Sequence, residues 1–235
     1  MPLKKELLNP VPQTWEDQLA KQVALVGSVQ SGVIILADIS GYTGLVTQTE
    51  IEHSQSILQF LFDHIYEATG ERFIVNEIEG DAIFAYAVEP KNPGALLVET
   101  LKQLKEYGHA FYHARKQMLD NPKQGPDACD CNACINIGRL SFKFVVHYGK
   151  FGVNKVGPFV KLIGADIVLA HRLLKNDVPG HEYVLLTKET LDLLPVEIRA
   201  KFIGATESID KFGDVPVAYR LFDWEEEEAK HHAAT

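Results

Sequence analysis

The sequence has little of what marks secreted, membrane-spanning or nucleic-acid-binding proteins. Its 235 residues include three cysteines and no lysine or arginine block longer than Lys4-Lys5. It has no apolar run of about 18 residues, the length that crosses a bilayer, and its N-terminus lacks the apolar core of a signal peptide. An odd, small number of cysteines argues against a disulfide framework. The net charge of −9 repels a nucleic-acid backbone or an anionic membrane. We therefore expect a cytoplasmic protein with neither partner.

What the chain does have is the composition of a folded domain. Hydrophobic residues make up 46% and charged residues 23% of the sequence, enough to bury a core. Residues 1–30 are predicted to be an N-terminal extension, with a short helix that leads to a turn at Ser31-Gly32. Residues 31–223 are predicted to be one domain, with an insertion loop at 121–136. Residues 224–235 are predicted to be a solvated acidic tail.

Hydrophobic periodicity predicts an α+β fold. A continuous apolar run at 33–37 is typical of a buried strand, and apolar residues three and four apart indicate helices at 51–68 and 93–118. Short segments at 73–75 and 82–88 are close enough for a hairpin. Further strands are predicted at 140–148, 182–186 and 217–222, and residues 160–175 turn from extended to helical near Gly164. This order favours helices on one side of a mostly antiparallel sheet.

Two aspartates stand at prominent places in this pattern. Asp38 ends the first buried strand, and Asp81 follows Gly80 at the hairpin tip. If strand and hairpin are neighbours, the two carboxylates converge and offer the oxygen ligands that Mg²⁺ and Mn²⁺ prefer. The turn after Asp38 leads into a helix whose free N–H groups could cradle a triphosphate; its residues are Ser40, Gly41, Tyr42 and Thr43. The alternative is that each aspartate forms a turn or caps a helix.

Four segments, in this order, resemble the motifs of class III adenylate and guanylate cyclases. They are Asp38-Ile39-Ser40-Gly41-Tyr42-Thr43, Glu79-Gly80-Asp81-Ala82-Ile83-Phe84-Ala85, His147-Tyr148-Gly149, and Gly164 through Ala170-His171-Arg172-Leu173. The resemblance runs from about Val33 to Phe222. It implies a ferredoxin-like βαββαβ core with added strands and helices, and a head-to-tail homodimer with its active sites in the subunit interface.

The resemblance also implies roles for individual residues. Asp38 and Asp81, helped by the carbonyl of Ile39, correspond to the ligands of two Mg²⁺ or Mn²⁺ ions. Arg172 corresponds to an arginine that stabilises charge on the transferring phosphate. Lys211 corresponds to a second phosphate-binding residue if the alignment is shifted by one position.

The chain departs from the family pattern at three positions. Val168 stands where the family has an asparagine that orients the ribose, and valine cannot hydrogen bond. The two residues that read adenine in adenylate cyclases, a lysine and an aspartate, are here Glu77 and Lys161. A carboxylate suits the N1–H and N2–H₂ donors of guanine, and an ammonium suits its O6 acceptor. This reversal of charge favours guanine, and hence GTP, although uracil would also fit the pair. The alternative is a plain surface salt bridge with no base between the charges.

All three cysteines lie within six residues, at Cys129, Cys131 and Cys134. Clustering favours metal or redox chemistry over core packing. Three thiolates suit Zn²⁺ or part of an iron–sulfur cluster, with a fourth ligand from elsewhere. His109, His113, His147 or a partner subunit could supply it. Thiol redox sensing and inert thiols are the alternatives.

Three functions follow from these observations. The first is a homodimeric, metal-dependent cyclase that converts a nucleoside triphosphate, preferably GTP, into cyclic nucleotide and pyrophosphate. The second is a cyclase-like module, silenced by Val168, that binds nucleotide for regulation. The third is a scaffold whose functional centre is the cysteine loop. The paired aspartates favour nucleotide and metal binding, because converging carboxylates cost stability unless they are neutralised.

Overall fold

A computed structural model of the chain describes residues 15–49, 51–67, 73–89, 91–120 and 136–226. The first half contains α1 (Trp15–Ala24), β1 (Val29–Ser40), α2 (Tyr42–Gln48), α3 (Ile51–Glu67), β2 (Ile74–Glu79), β3 (Ala82–Val88) and α4 (Pro93–Asp120). After a 3₁₀ turn at Ile137–Arg139 come β4 (Ser141–Val156), β5 (Phe159–Ile163), α5 (Ala165–Arg172), β6 (Tyr183–Thr187), α6 (Lys188–Asp192), α7 (Val196–Arg199), β7 (Ile203–Ile209) and β8 (Gly213–Leu221).

These strands form one mixed sheet in the order β2-β3-β1-β4-β6-β8-β7, and β5 pairs with β4. The pairing of β4 with β6 is parallel, and the other pairings are antiparallel. The α+β fold and the mostly antiparallel sheet predicted from the sequence are therefore confirmed. Strand β1 lies between β3 and β4, which brings the residues at its end beside the hairpin turn of β2 and β3.

The alternation of side chains along β1 supplies two separate cores. Val33 and Ile35 pack with the apolar faces of α3 and α4. Ile34 and Leu36 point to the opposite face, where they pack with residues of α5 such as Leu169. The expectation of helices on one side of the sheet is therefore wrong. It failed because the apolar residues of the short helix α5 gave no indication of which face they cover.

Several predicted boundaries differ from the structure. Ser31 and Gly32 lie inside β1 rather than in a turn. Gly32 is required there because a Cβ at this position would lie 2.2 Å from the carbonyl oxygen of Ala87 on the neighbouring strand. Strand β4 continues eight residues beyond Tyr148 to Val156. Strand β7 was not predicted, because its exposed and buried residues carry no continuous apolar run.

Both ends of the described chain pack against the domain. In α1, Gln22 Nε2 donates a 2.7 Å hydrogen bond to the carbonyl oxygen of Val75 on β2, and Gln18 Nε2 donates to that of Phe73. Trp224 is buried and lies against Gly108 of α4. The proposed boundaries at residues 31 and 223 stay predictions. The cysteines, with the rest of 121–135, lie outside the described residues, as does the tail from 227 onward. None of the described helices is long and apolar enough to cross a membrane.

Candidate active site

The structure brings the two predicted metal-binding aspartates together. Asp38 pairs across the sheet with Ala82, the residue after Asp81. The backbone N–H of Ile39 donates a 3.3 Å hydrogen bond to the carbonyl oxygen of Asp81. Because side chains alternate along β1, Asp38 projects to the same face as Leu36, the face covered by α5.

The electrostatics of Asp81 reflect this proximity. Burial raises the pKa of the Asp81 carboxyl above its usual range, and the charge of Asp38 raises it further. A backbone hydrogen bond and the ammonium of Lys143 oppose that rise in pKa. Two carboxylates that share a partly buried site repel each other unless a cation lies between or beside them. The donor set, two carboxylates and the neighbouring carbonyl of Ile39, therefore fits a hard divalent cation such as Mg²⁺ or Mn²⁺.

Sequence reasoning missed Lys143, the nearest cation to these carboxylates that the structure describes. Lys143 is the cross-strand partner of Asp38 on β4, and its Nζ lies 3.0 Å from Asp38 Oδ2. The same Nζ donates a 3.3 Å hydrogen bond to the carbonyl oxygen of Leu174, just beyond α5. The available signal was a lysine between Phe142 and Phe144 in a strand whose flanking residues are buried, at a position where a charge is costly.

The turn after Asp38 has the predicted course. Gly41 adopts a left-handed backbone conformation with φ of 90°, and α2 begins at the next residue. A Cβ on Gly41 would lie 2.9 Å from the carbonyl oxygen of Arg139. The ring of Tyr42 faces Gly80, where an added Cβ would lie 3.8 Å from Tyr42 Cε1. Ser40, Gly41, Tyr42 and Thr43 thus lie beside the Asp81 turn, and their role toward phosphates stays a prediction.

The predicted base readers are in direct contact. Lys161 Nζ on β5 donates a 2.6 Å hydrogen bond to Glu77 Oε2 on β2. The side chains are 44% and 32% exposed, respectively, so the pair is open to solvent on one side. A register shift between Val75 and Glu77 in the β2–β3 pairing positions Glu77 for this contact. The two residues form a salt bridge, and their role toward a base stays a prediction.

Helix α5 lies between these two groups of residues. Its His171 packs edge-on against the ring of Phe84 at 4.9 Å. Burial lowers the pKa of His171, while the charges of Glu79 and Glu77 oppose that effect. The following residue, Arg172, is exposed, and Val168, one helical turn earlier, is 48% exposed. Both therefore point away from the core of their own chain.

Lys211 occupies the exposed turn between β7 and β8, with φ of 71°. Its side chain is 85% exposed, and its Nζ lies 4.0 Å from Asp210 Oδ1. A lysine in a left-handed conformation is uncommon, and the turn holds the side chain in solvent. Its assignment as a phosphate-binding residue stays a prediction.

Asp166 at the start of α5 fixes the helix to β4. Its Oδ2 accepts a 2.6 Å hydrogen bond from the backbone N–H of Lys150. Gly149 makes this approach possible, because a Cβ there would lie 2.4 Å from Asp166 Oδ2. On the same strand, His147 is buried, and its Nδ1 lies 2.8 Å from Thr187 Oγ1. The His147-Tyr148-Gly149 motif therefore joins β4 to α5 and β6.

Comparisons with known proteins agree with this architecture. Residues 58–183 match the protein family of unknown function DUF2652. An uncharacterized protein of Mycobacterium tuberculosis is 33% identical over 144 residues, which are 61% of this chain and 63% of that protein. The chain thus matches less than two thirds of that relative's length.

Among solved structures, the adenylyl cyclase CyaB from P. aeruginosa superposes with a TM-score of 0.62 at 17% identity, covering 83% of this chain and 95% of that one. The guanylyl cyclase Cya2 superposes with a TM-score of 0.65 at 14% identity, covering 84% of this chain and 96% of that one. A class III adenylyl cyclase-like ATP-binding protein from Pseudomonas aeruginosa superposes with a TM-score of 0.57 at 14% identity, covering 74% of this chain and 37% of that one. At these identities the likeness establishes the fold. The chain therefore belongs to the DUF2652 family and is a divergent domain with the class III nucleotidyl cyclase fold.

Proposed function

We propose that this protein is a metal-dependent nucleotidyl cyclase that acts on a nucleoside triphosphate, preferably GTP, as a head-to-tail homodimer. The observation that carries the proposal is the convergence of Asp38 and Asp81 beside Lys143. In the reaction, the ribose 3′-oxygen forms a bond to the α-phosphorus while the bond from that phosphorus to the β-phosphate oxygen breaks. Pyrophosphate leaves, and the hydroxyl proton passes to solvent or to the phosphates.

Asp38 and Asp81 would hold the two divalent cations, with help from the carbonyl of Ile39. The cations would supply charge neutralisation on the phosphates and a lower pKa for the attacking hydroxyl. The pKa of Asp81 is raised first by burial and then by the charge of Asp38, so part of the rise reflects the cost of holding both carboxylates ionised together. A divalent cation would remove that cost.

Lys143 contributes a positive charge that belongs to the protein. Its ammonium lies 3.0 Å from Asp38 Oδ2 and is therefore within reach of any anion bound to the same carboxylates through a cation. In transfer of a phosphoryl group, fixed positive charge next to the phosphates stabilises the charge that develops as the bond breaks. We infer that Lys143, which pairs with Asp38, offsets one of the two carboxylate charges and would face a bound triphosphate.

Glu77 and Lys161 would select the base. When guanine enters, the carboxylate of Glu77 accepts from N1–H and N2–H₂, and the ammonium of Lys161 donates to O6. Adenine presents an acceptor at N1 and a donor at N6, so it meets the wrong partner at both positions. The ion pair seen in the free chain must open for this contact, and its partial exposure keeps that opening inexpensive.

Arg172 would act on the active site of a second subunit. It is exposed on the side of α5 that also carries the exposed Val168, and its planar guanidinium suits a phosphate. Apolar side chains that extend from the β4–β5 hairpin provide further surface for a second copy: Val156, Phe159 and Ile163, exposed by 62%, 65% and 52%. Val168 offers no hydrogen bond to the ribose, so orientation of the sugar must come from other contacts.

The test is turnover by the purified protein with Mn²⁺ and, in separate reactions, GTP, ATP, UTP and CTP, with cyclic monophosphate measured by mass spectrometry. We expect cyclic GMP. Asp38→Asn and Asp81→Asn should each lower its formation by roughly 10²-fold or more, the effect of removing a preorganised electrostatic contact. Asp192→Asn is the matched control, because Asp192 is an exposed carboxylate paired with Lys188 on α6.

The outcomes separate the candidate functions. Cyclic GMP that depends on Asp38 and Asp81 supports the proposal. Cyclic AMP as the main product would keep the enzyme but contradict the roles given to Glu77 and Lys161. Nucleotide binding without any cyclic product would replace the cyclase with a nucleotide-binding regulatory module.

A further inference from the structure

A pair of histidines on α4 lies outside the candidate active site. His109 and His113 are four residues apart, and their Nε2 atoms are 3.0 Å from each other. The ring centroids are 4.2 Å apart, with the ring planes at 86°. For two imidazole nitrogens to approach this closely, at least one must present its lone pair to the other. The helix therefore already holds two imidazole Nε2 atoms side by side on its surface.

The pair is held on a firmly packed element. α4 is 28 residues long, and Phe111 and Ala114, which follow the two histidine positions closely, are fully buried against the sheet. His109 is half-buried, with its ring centroid 6.1 Å from that of Trp224. His113 is exposed, so an ion can reach the pair from solvent without rearrangement of the helix.

The spacing of the two nitrogens matches the geometry of metal coordination. At metal–nitrogen bonds of about 2.0–2.1 Å, two nitrogens 3.0 Å apart subtend roughly 94° at the metal. This is close to the right angle between neighbouring ligands in octahedral and square-planar shells, and an opening of about 0.3 Å reaches the tetrahedral angle of Zn²⁺. Imidazole is a preferred ligand of Cu²⁺, Ni²⁺ and Zn²⁺, whereas Mg²⁺ prefers oxygen.

We propose that His109 and His113 form a binding site for a divalent transition-metal ion, with both Nε2 atoms as ligands. The residues that the structure describes contain no group of three or more His, Cys, Asp or Glu suited to a metal ion. The site differs in ligand chemistry from the oxygen site at Asp38 and Asp81, and it does not depend on the cyclase proposal.

Trp224 offers a direct readout, because bound Cu²⁺ quenches a nearby indole. The chain has two tryptophans, so Trp15→Phe leaves Trp224 as the only tryptophan, whose emission can be excited selectively. In this background, the other strong ligand candidates are removed with Cys129→Ser, Cys131→Ser, Cys134→Ser, His231→Ala and His232→Ala. Titration with Cu²⁺ should then quench Trp224 fluorescence with saturation at one equivalent, and a chelator should reverse it.

His109→Ala and His113→Ala should each weaken the apparent Kd for Cu²⁺ by roughly tenfold or more, because even loss of a group behind a ligand costs 10–100-fold. His181→Ala, which changes an exposed histidine outside the pair, is the matched control and should leave the Kd unchanged. Isothermal titration with Ni²⁺ provides a second probe, and circular dichroism confirms that each variant is folded.

Two results would overturn the site. One is an unchanged Kd in both His109→Ala and His113→Ala with the fold intact. The other is quenching that rises without saturation and with equal slope in all variants, which would indicate collision with free ions. Acidification to pH 5 gives a further check, because a metal binds the unprotonated imidazole and protons compete with it.

Discussion

Among single side chains, Glu77 and Lys161 are expected to decide which base is accepted. Exchanging the two charges with Glu77→Lys and Lys161→Glu keeps an ion pair at the same place, so folding should be little affected. The donors and acceptors then match adenine, and the ratio of kcat/KM for GTP to that for ATP should fall by roughly tenfold or more, since one matched polar contact discriminates by about 1–3 kcal/mol. Steady-state rates with both nucleotides measure this ratio.

The single substitutions Glu77→Gln and Lys161→Met are the controls for that exchange. Each removes one contact and should lower the rate with GTP without creating a preference for ATP. A GTP-to-ATP ratio that is the same in the double variant and in the original protein would show that the pair is a structural salt bridge.

Asp81 links the candidate metal site to stability. Its folded-state pKa is raised, first by burial and then by Asp38, so the protonated form is favoured by folding. The corresponding stability is present at low pH and is lost as the pH rises through the folded pKa. In metal-free protein, Asp81→Asn should therefore raise the unfolding midpoint at pH 7, and this gain should fade below about pH 4, where Asp81 is protonated in both states.

Thermal unfolding in a chelator from about pH 3 to about pH 8 measures this difference between the two proteins. Mg²⁺ or Mn²⁺ should reverse their order at pH 7, because a ligand stabilises the state that binds it and only the carboxylate binds well. If Asp81→Asn is less stable than the original at every pH without metal, the carboxylates do not strain the free site.

How far the site could be predicted differs from residue to residue. The proximity of Asp38 and Asp81 could be predicted because each stands where a predicted strand or hairpin ends, and such ends meet at a sheet edge; their role as metal ligands stays a prediction. Lys143 was missed because its position opposite Asp38 depends on the register between β1 and β4, and register is set by packing that one strand's sequence does not contain. The contact between Glu77 and Lys161, 84 residues apart, needs the complete fold.

Among the secondary-structure elements, α5 has the clearest dependence on a single glycine. Gly149→Ala would place a Cβ 2.4 Å from Asp166 Oδ2, so the start of α5 must move and the hydrogen bond from Lys150 N is lost. We expect unfolding to become easier by about 1–3 kcal/mol. Turnover should fall further, because the same helix carries Arg172.

Gly204→Ala is the matched control, because a Cβ at Gly204 on β7 meets nothing within 4 Å. Urea unfolding of the three proteins gives the free energies, and cyclic nucleotide formation gives the activities. Equal stability of Gly149→Ala and Gly204→Ala would mean that α5 shifts without cost.

The elements themselves were predictable where periodicity was strong. The long helices α3 and α4 and the β2–β3 hairpin follow from apolar spacing and glycine positions. The extension of β4 to Val156 was missed because Gly149 and Gly152 interrupt its alternation, although β1 and β5 complete its backbone hydrogen bonds there. Such a strand is stabilised by its neighbours rather than by its own composition.

For the whole molecule, assembly into a dimer is the decisive question. Phe159 is 65% exposed at the start of β5, and a charge there should disrupt a hydrophobic interface with a second copy. Phe159→Glu should convert a dimer into a monomer and remove cyclase activity, because each site of the proposed head-to-tail dimer would need both subunits. Sedimentation velocity measures the association, and Val196→Glu, at a similarly exposed position on α7, is the control.

A mixture of variants tests whether the sites are shared. Asp38→Asn and Arg172→Ala should each be inactive alone, but co-expressed chains should recover roughly a quarter of the activity, since half of the dimers are mixed and each contains one intact site.

A Phe159→Glu protein that remains dimeric and active would show that the β4–β5 hairpin lies outside the interface.

The contact between Lys143 and Asp38 bears on when the protein could bind divalent cations and react. Because the chain carries its own counter-ion, the acidic site is charge-balanced at Asp38 before any metal arrives. If divalent cations bind at Asp38 and Asp81 as proposed, loading would be an exchange in which the incoming cation displaces the Lys143 ammonium from Asp38. The free concentration of that cation, rather than the supply of folded protein, would set how many molecules stand ready to react.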